Sequence, residues 1–237
     1  MPVRVIAGLG NPGPRYDGTR HNIGFRAVDE LAKRLGASWS ENKKFCAHTA
    51  SVEIAGQPVV LMKPDTFMNL SGKSLGEICR FYKWKPAECV VVYDEYTLPV
   101  GRLKLSLRGS PGGHNGVADI INRLGDAFIR FRIGIMPAQK PLAPLKDFVL
   151  GRFTPDEQAA IDRALPEWLE GLEYLVRHGP ERAMNQLNQK KPSPPPTDEH
   201  LPQSPVPRDG DPGHPGLQGT GRNADHQAQG HPQEPGR

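Results

Sequence analysis

Polar side chains suited to acyl chemistry occur in four segments, each of which follows an apolar run expected to form a strand. They are Asn11 with His21, Asn69, Asp94, and His114 with Asn115. Loops at the carboxyl ends of strands in an α/β protein converge on one crevice, so we expect these side chains to share a cleft. A histidine, a carboxylate and several amides in one cleft favour the attack of water on an acyl carbon.

In such a site, His21 would take the proton from water, and Asp94 would orient the imidazole ring and favour its charged form. The amides would hold the substrate and the oxyanion that develops during the attack. We expect no G-x-S-x-G nucleophile elbow, so water rather than a protein side chain is the expected nucleophile. The pattern therefore predicts a hydrolase that forms no acyl-enzyme.

Each of these residues also has a simpler interpretation. His21, which follows Arg20, could be an ordinary hydrogen-bonded residue. Asp94 could end a strand or start a turn, and Asn69 could cap a helix. The glycine-rich loop 109–116 could be a plain connector, or its N–H groups could bind phosphate at the start of a helix. Spacing alone leads no further than a hydrolase.

The segment 8–25 contains G-x-G-x-x-G after a strand, which is the spacing of a dinucleotide-binding loop. In such a loop the third glycine opens a helix whose N-terminus holds the pyrophosphate. Here Pro12 and Pro14 flank the third glycine, Gly13, and helical periodicity begins only near Asn22. A nicotinamide-dependent oxidoreductase is therefore disfavoured.

The charge of the chain is concentrated in its first 189 residues. The 237 residues include 30 Lys and Arg against 26 Asp and Glu. Residues 190–237 contain five basic and six acidic residues, which leaves 25 basic and 20 acidic residues, a net charge of +5, in residues 1–189. This excess favours a polyanionic partner, although an ordinary solvated basic surface explains it equally well.

The cysteines and the apolar segments indicate the cellular compartment in which the protein is expected to work. Cys46, Cys79 and Cys89 form no C-x-x-C motif and no zinc-ligand spacing, so we expect buried thiols in a reducing compartment. The N-terminal apolar run contains Arg4 and reads as a strand rather than a signal peptide. No segment approaches the roughly 18 apolar residues of a membrane span, so a cytoplasmic protein without membrane contact is expected.

Hydrophobic periodicity predicts strands that alternate with helices. The expected strands cover residues 3–9, 45–54, 58–62, 89–93, 102–107 and 131–135, and the expected helices cover about 23–35, 71–82, 117–124, 155–176 and 181–187. Ser71 and Thr154 are the expected caps of two helices, and Pro166 is expected to kink one of them. A hairpin near residues 55–57 makes the sheet mixed, so the pattern predicts an α/β domain with a mixed central β-sheet flanked by helices.

From about Gln189 the composition changes to Pro, Gly, Gln, Asp and His with few large apolar residues. Such a segment cannot bury enough apolar surface to offset its ordering entropy. We therefore expect a single catalytic domain at residues 1–188 and a disordered C-terminal tail at residues 189–237.

Several longer motifs occur together and in a fixed order. They are Gly8-Leu9-Gly10-Asn11-Pro12-Gly13, Thr19-Arg20-His21-Asn22-Ile23-Gly24-Phe25, Lys63-Pro64 with Phe67-Met68-Asn69-Leu70-Ser71-Gly72, Asp94-Glu95, Gly112-Gly113-His114-Asn115-Gly116 and Arg132-Ile133-Gly134-Ile135. On these motifs the chain, over about residues 3 to 188, resembles the bacterial-type peptidyl-tRNA hydrolases.

The resemblance implies a monomeric α/β enzyme that hydrolyses the ester between a peptide and the terminal ribose of tRNA. Such an enzyme releases tRNA from dropped or stalled peptidyl-tRNA without metal, cofactor or obligatory protein partner. It implies that His21 is the base, that Asp94 orients it, and that Asn11 contacts the peptide main chain and helps to distinguish peptidyl from aminoacyl ends. The substrate-binding residues that it implies are Tyr16, Phe67, Asn69, His114 and Asn115.

The chain departs from the family pattern in two places. Tyr96 and Thr97 follow Asp94-Glu95 where the family commonly continues with Leu-Asp, and Ser106 stands where many members carry a basic residue. Basic residues that could serve the tRNA phosphate instead are Lys104, Arg108 and Arg132. The alternative to an esterase is an RNA-binding scaffold on the same fold that has lost catalysis, and the joint presence of His21, Asp94, Asn11 and Asn69 favours the enzyme.

Overall fold

The computed structural model describes residues 1–139 and 141–189 of the chain. The predicted disordered tail lies outside the described residues, apart from Gln189 at its start, so its boundary at residue 188 stays a prediction. Among the described residues, no helix is long and apolar enough to cross a membrane.

Seven strands form one sheet in the order β2-β3-β4-β1-β5-β7-β6. Their bounds are β1 Val5–Gly8, β2 Ser40–Asn42, β3 Ala47–Ile54, β4 Gln57–Pro64, β5 Cys89–Pro99, β6 Leu103–Ser106 and β7 Ile129–Met136. The central strands β4, β1, β5 and β7 are parallel, whereas β2, β3 and β6 pair antiparallel with their neighbours. The predicted α/β fold with a mixed central sheet is confirmed.

Helices cover both faces of this sheet. They are α1 Ile23–Arg34, α2 Ser71–Tyr82, α3 Asn115–Leu124, α4 Leu145–Leu150, α5 Pro155–His178 and α6 Pro180–Leu187. Two apolar clusters fill the space between sheet and helices. One packs α1 and α5 on one face, and the other packs α2 and α3 on the opposite face. Strands β1, β4 and β5 contribute alternate residues to the two clusters, because side chains alternate across a sheet.

The start of α5 forms as its sequence predicts. The Thr154 hydroxyl accepts from the Glu157 N–H, and the Glu157 carboxylate accepts from the Thr154 N–H at 2.7 Å. This capping box satisfies two helix-end donors, and Pro155 occupies the first helical position, where its missing N–H costs nothing. Helix α5 continues through Pro166 to His178.

Two sequence-based expectations were wrong in detail, and one strand was not predicted. Ser71 does not cap α2, because it is the first residue of that helix and its hydroxyl donates to the Met68 carbonyl at 2.8 Å. Strand β5 does not end at Asp94 but pairs with β7 beyond it, so Asp94 lies within a strand. The short edge strand β2 was not predicted, because its polar residues form a strand only by pairing with β3.

Candidate active site

The predicted base and acid lie in direct contact. His21 belongs to a 3-10 turn between β1 and α1, and Asp94 lies in the adjacent strand β5. The two side chains form a hydrogen bond of 2.9 Å between His21 Nδ1 and Asp94 Oδ1. The same carboxylate oxygen lies 3.1 Å from His114 Nε2, at the start of α3. All three residues are buried.

The surrounding hydrogen bonds fix the tautomers of both rings. His114 Nδ1 accepts from the Val117 N–H at 3.2 Å, so its proton must lie on Nε2, which donates to Asp94. Asp94 is an acceptor when ionised, so His21 must donate to it from Nδ1. His21 Nε2 is then the ring nitrogen that keeps a lone pair, as a general base requires.

The charge of Asp94 is maintained despite its burial. Burial by itself raises the pKa of this carboxyl, but the charges and hydrogen bonds of His21 and His114 outweigh that effect and hold its pKa well below the usual range. Asp94 is therefore an anion near neutral pH. Its negative charge stabilises a positive charge that develops on the His21 ring.

The Asn11 amide is held in one orientation by two other segments. Its Oδ1 accepts from the Met68 N–H at 2.8 Å, and its backbone is bridged to the Asn22 side chain by bonds of 2.8 and 2.9 Å. Because Oδ1 is occupied, Nδ2 is the part of the amide left to meet a substrate. Asn11 therefore presents a hydrogen-bond donor.

The first two glycines of the G-x-G-x-x-G segment, Gly8 and Gly10, serve close packing rather than phosphate binding. A Cβ atom on Gly8 would lie 2.3 Å from the Gly24 carbonyl oxygen, and one on Gly10 would lie 2.6 Å from the Phe25 ring. The third glycine of the motif leads into a single 3-10 turn, Pro14–Tyr16, and not into a helix. The structure thus provides no helix N-terminus for a pyrophosphate at this loop.

His21, Asp94 and His114 line a cleft of about 450 Å³, and Asn11 lines it as well. Phe67, Met68 and Asn69 form one side of it, and helix α4 forms another with apolar and basic side chains. The α4 residues that line the cleft are Leu145, Lys146, Val149 and Leu150. The sequence gives no role for these residues, because a helix of only six residues is too short for its spacing to indicate what it faces.

The predicted substrate-binding residues lie around this cleft. Phe67 is 56% exposed and lines it, and the Tyr16 ring stands edge-on to the Phe67 ring with centroids 6.4 Å apart. Asn69 and Asn115 are exposed at the cleft, from a 3-10 turn and from the start of α3. Tyr96, one of the departures from the family pattern, also lines the cleft.

The three basic residues predicted for tRNA phosphate are not equivalent. Lys104 is exposed on β6, directly opposite the half-buried Arg132 of β7, so the two side chains stand side by side on one face of the sheet. Arg132 also contacts the Glu95 carboxylate at 3.2 Å. Arg108 is paired with Asp126 at 3.5 Å on the exposed loop that follows β6. None of the three lines the cleft itself.

Two buried arginines support the site and were not predicted. Arg20 pairs with Glu157 at 2.7 Å and lies over the Phe148 ring, so it joins the His21 turn to α4 and α5. Arg130, 1% exposed, donates to the carbonyls of Gly109 and Ser110 at the start of the glycine-rich loop. In the sequence both resemble ordinary surface arginines, and only the folded structure shows that they are buried and hold neighbouring segments together.

A literal G-x-S-x-G match exists at residues 72–76, so the expectation that the chain contains none was wrong. The structure shows why it is not a nucleophile elbow. Ser74 lies inside helix α2, is fully buried, and donates to the Cys46 carbonyl at 2.9 Å. An elbow needs an exposed serine at a strand-to-helix turn.

His21, Asp94 and His114 also bring three possible metal-ligand atoms within 4.8 Å of one another, within the described part of the chain. A metal ion would need both facing ring nitrogens unprotonated. Here these nitrogens are hydrogen-bond donors to the carboxylate at 2.9 and 3.1 Å. The donor set fits a hydrogen-bond network better than a metal centre, and the absence of a metal requirement stays a prediction.

Comparisons with known proteins agree with one another. The family model described as peptidyl-tRNA hydrolase matches residues 5–195. A peptidyl-tRNA hydrolase of Chloroflexus aurantiacus is 47% identical over 187 residues, which is 78% of this chain and 98% of that protein. One of Gloeobacter violaceus is 41% identical over 198 residues, 83% of this chain and 99% of that protein. The crystal structure of peptidyl-tRNA hydrolase from Acinetobacter baumannii superposes with a TM-score of 0.75 at 37% identity and covers 81% of this chain and 97% of that one. The chain belongs to the peptidyl-tRNA hydrolase family.

Proposed function

We propose that this chain hydrolyses the ester of peptidyl-tRNA by general-base catalysis, in which His21 Nε2 takes the proton from the attacking water. The chain is an esterase of the peptidyl-tRNA hydrolase family, and its products are the peptide acid and free tRNA. The observation that carries the mechanism is the 2.9 Å bond between His21 Nδ1 and Asp94, since it fixes the tautomer that leaves Nε2 free.

Asp94 acts on the charge that develops during the attack. As Nε2 gains a proton, the ring becomes an imidazolium beside a buried carboxylate, and their attraction is present only on the way to the transition state. An interaction of this kind raises kcat rather than substrate affinity. His114 donates to the same carboxylate oxygen, which helps to keep Asp94 directed at His21.

Asn11 supplies the donor for the acyl part of the substrate. Its Nδ2 is directed by the bond between Oδ1 and the Met68 N–H, so it can donate to a carbonyl oxygen of the peptide. A substrate with a free amine in place of the peptide bond offers no such carbonyl and leaves the buried donor unpaired. This accounts for a preference for peptidyl over aminoacyl ends.

The remaining contacts follow from position. Tyr16, Phe67, Asn69, His114 and Asn115 would bind the acyl group and the terminal nucleotide around the cleft. Lys104 and Arg132 would hold a phosphate together because they lie side by side, whereas Arg108 lies on the following loop and is paired with Asp126. We propose that the protein acts as a monomer in the cytoplasm, where peptidyl-tRNA is produced, and without a metal or cofactor.

The test is hydrolysis of N-acetyl-aminoacyl-tRNA by the wild type and by His21→Ala. General-base catalysis is typically worth about 10² to 10⁴ in rate, so His21→Ala should lose about that much kcat while it still binds tRNA. The wild type should work in excess EDTA and show no burst. Unchanged turnover by His21→Ala would refute the mechanism, and an inactive wild type would favour an RNA-binding scaffold instead.

A further inference from the structure

The far end of α2 carries exposed aromatic rings surrounded by lysines. This aromatic patch consists of Lys44, Phe81, Tyr82, Lys83, Trp84 and Lys85. Phe81 and Tyr82 are adjacent and are 50% and 47% exposed. It lies outside the residues that line the catalytic cleft.

The rings of the patch are held in place before any partner binds. Phe45, which is buried, contacts both Phe81 and Tyr82, with ring centroids 5.6 and 6.0 Å apart. Tyr82 stacks on Trp84 at 4.5 Å, and Lys44 Nζ lies 3.4 Å from the centroid of the Phe81 ring. A ligand that binds here therefore meets a surface that loses little side-chain entropy.

The charges of the patch are available to a partner. Lys83 and Lys85 are exposed and form no ion pair with any described residue. The acids nearest to them in sequence are already occupied, since Glu77 pairs with Arg80 at 2.7 Å and Glu88 contacts Arg4 at 3.7 Å. Exposed rings among unpaired lysines complement a partner that combines phosphate charge with flat apolar groups, as RNA does.

The two faces of the sheet differ in charge. Helices α1 and α5 together carry eight acidic and five basic residues, whereas residues 71–85 and α3 carry two acidic and five basic ones. Strand alternation also places Lys104 and Arg132 on the α2–α3 face, because Phe131 and Ile133 pack against α1 and α5 on the other. A polyanion is therefore drawn to one face of the molecule.

We propose that the aromatic patch is a second docking site for the body of the tRNA, which lies across the α2–α3 face. This inference rests on the proposed function. The patch stands about 18 Å along α2 from the catalytic end of that helix, since twelve residues rise 1.5 Å each. From β7 to β4 the sheet spans three strand spacings, or about 14 Å. A tRNA held at Lys104 and Arg132 would cover both distances.

The test compares two substrates with the same N-acetyl-aminoacyl group, one on full-length tRNA and one on a short oligonucleotide of its 3′ end. The double variant Lys83→Glu with Lys85→Glu should lower kcat/KM on full-length tRNA about tenfold at low salt and reduce its log–log salt dependence by roughly 1 to 2. On the oligonucleotide its kcat/KM should equal that of the wild type. Phe81→Ala should lower kcat/KM roughly five- to tenfold on full-length tRNA but not on the oligonucleotide, as expected for the loss of a stacking contact.

Lys33→Glu is the matched control, because Lys33 is an exposed lysine on α1, with 80% of its side chain accessible. Its kcat/KM on either substrate should differ from that of the wild type by no more than about twofold. Equal losses of kcat/KM on both substrates, or no loss on full-length tRNA, would overturn the proposal. The lysine variants alter no packed side chain, so they decide the matter even if Phe81→Ala unfolds. A wild type inactive on both substrates would refute the proposed function and this inference with it.

Discussion

Replacing Asp94 with Asn tests whether the carboxylate charge, rather than its shape, drives catalysis. The amide can keep Oδ1 where it accepts from His21 and His114, so the fold should persist and only the negative charge is lost. Two unit charges about 4 Å apart interact by about 4 kcal/mol at an effective dielectric constant of about 20. Because this attraction arises only when His21 becomes charged, kcat should fall by up to roughly 10³ with little change in KM.

The assay is the steady-state hydrolysis of N-acetyl-aminoacyl-tRNA, together with thermal unfolding of each variant. Asp119→Asn is a matched control, since Asp119 is also a partly buried acceptor, for the Gly72 N–H and for Arg123, but touches no catalytic residue. The double variant of Asp94→Asn and His21→Ala should be no slower than His21→Ala alone, because the pair acts as a unit. Additive losses, or a near-normal kcat for Asp94→Asn, would refute the reasoning.

Three further outcomes follow. Asn11→Ala should lower the rate on N-acetyl-aminoacyl-tRNA more than on aminoacyl-tRNA and so narrow the preference between them; an unchanged ratio of kcat/KM values would contradict the donor role of Nδ2. As the pH is lowered, log kcat/KM should fall with a slope of one per pH unit. The pKa of Asp94 lies well below its usual range, so Asp94 stays ionised and His21 is the single group that must stay unprotonated. A slope of two would show that His114 must also stay unprotonated. Lys104→Ala should weaken tRNA binding and reduce its salt dependence by roughly 1 without changing kcat, and a salt dependence equal to that of the wild type would exclude a phosphate contact there.

Much of the fold is readable from the sequence because its signals are local. The apolar run before Gly8 can only be a buried strand, and the capping box at Thr154 satisfies donors within one turn of its own helix. The alternation of such segments already implies a sheet with helices on its faces. The catalytic candidates were found for the same reason, since His21 and Asp94 follow or extend apolar strands whose carboxyl ends meet.

Other features depend on partners that are remote in sequence. Strand β2 forms only where β3 offers its edge, and β5 runs past Asp94 because β7 continues to pair with it. The sequence could not show that Ser71 does not cap α2. Its hydroxyl can bond either to the helix N–H groups or to the Met68 carbonyl, and only the structure shows that it bonds to the carbonyl. Hydrophobic periodicity cannot predict these features, because they depend on which distant segments pack together.

The sequence alone therefore determined which residues could do chemistry and which segments would carry them, because residue type and hydrophobic spacing are local properties. Tertiary structure decided how those residues act. A bond from Met68, 57 residues away, turns the Asn11 amide into a donor. His114 is joined to Asp94 across 20 residues, and burial turns Arg20 into a link between His21 and α4. Orientation, protonation and the charge of a whole face arise only when distant segments share one environment, so only the folded chain defines them.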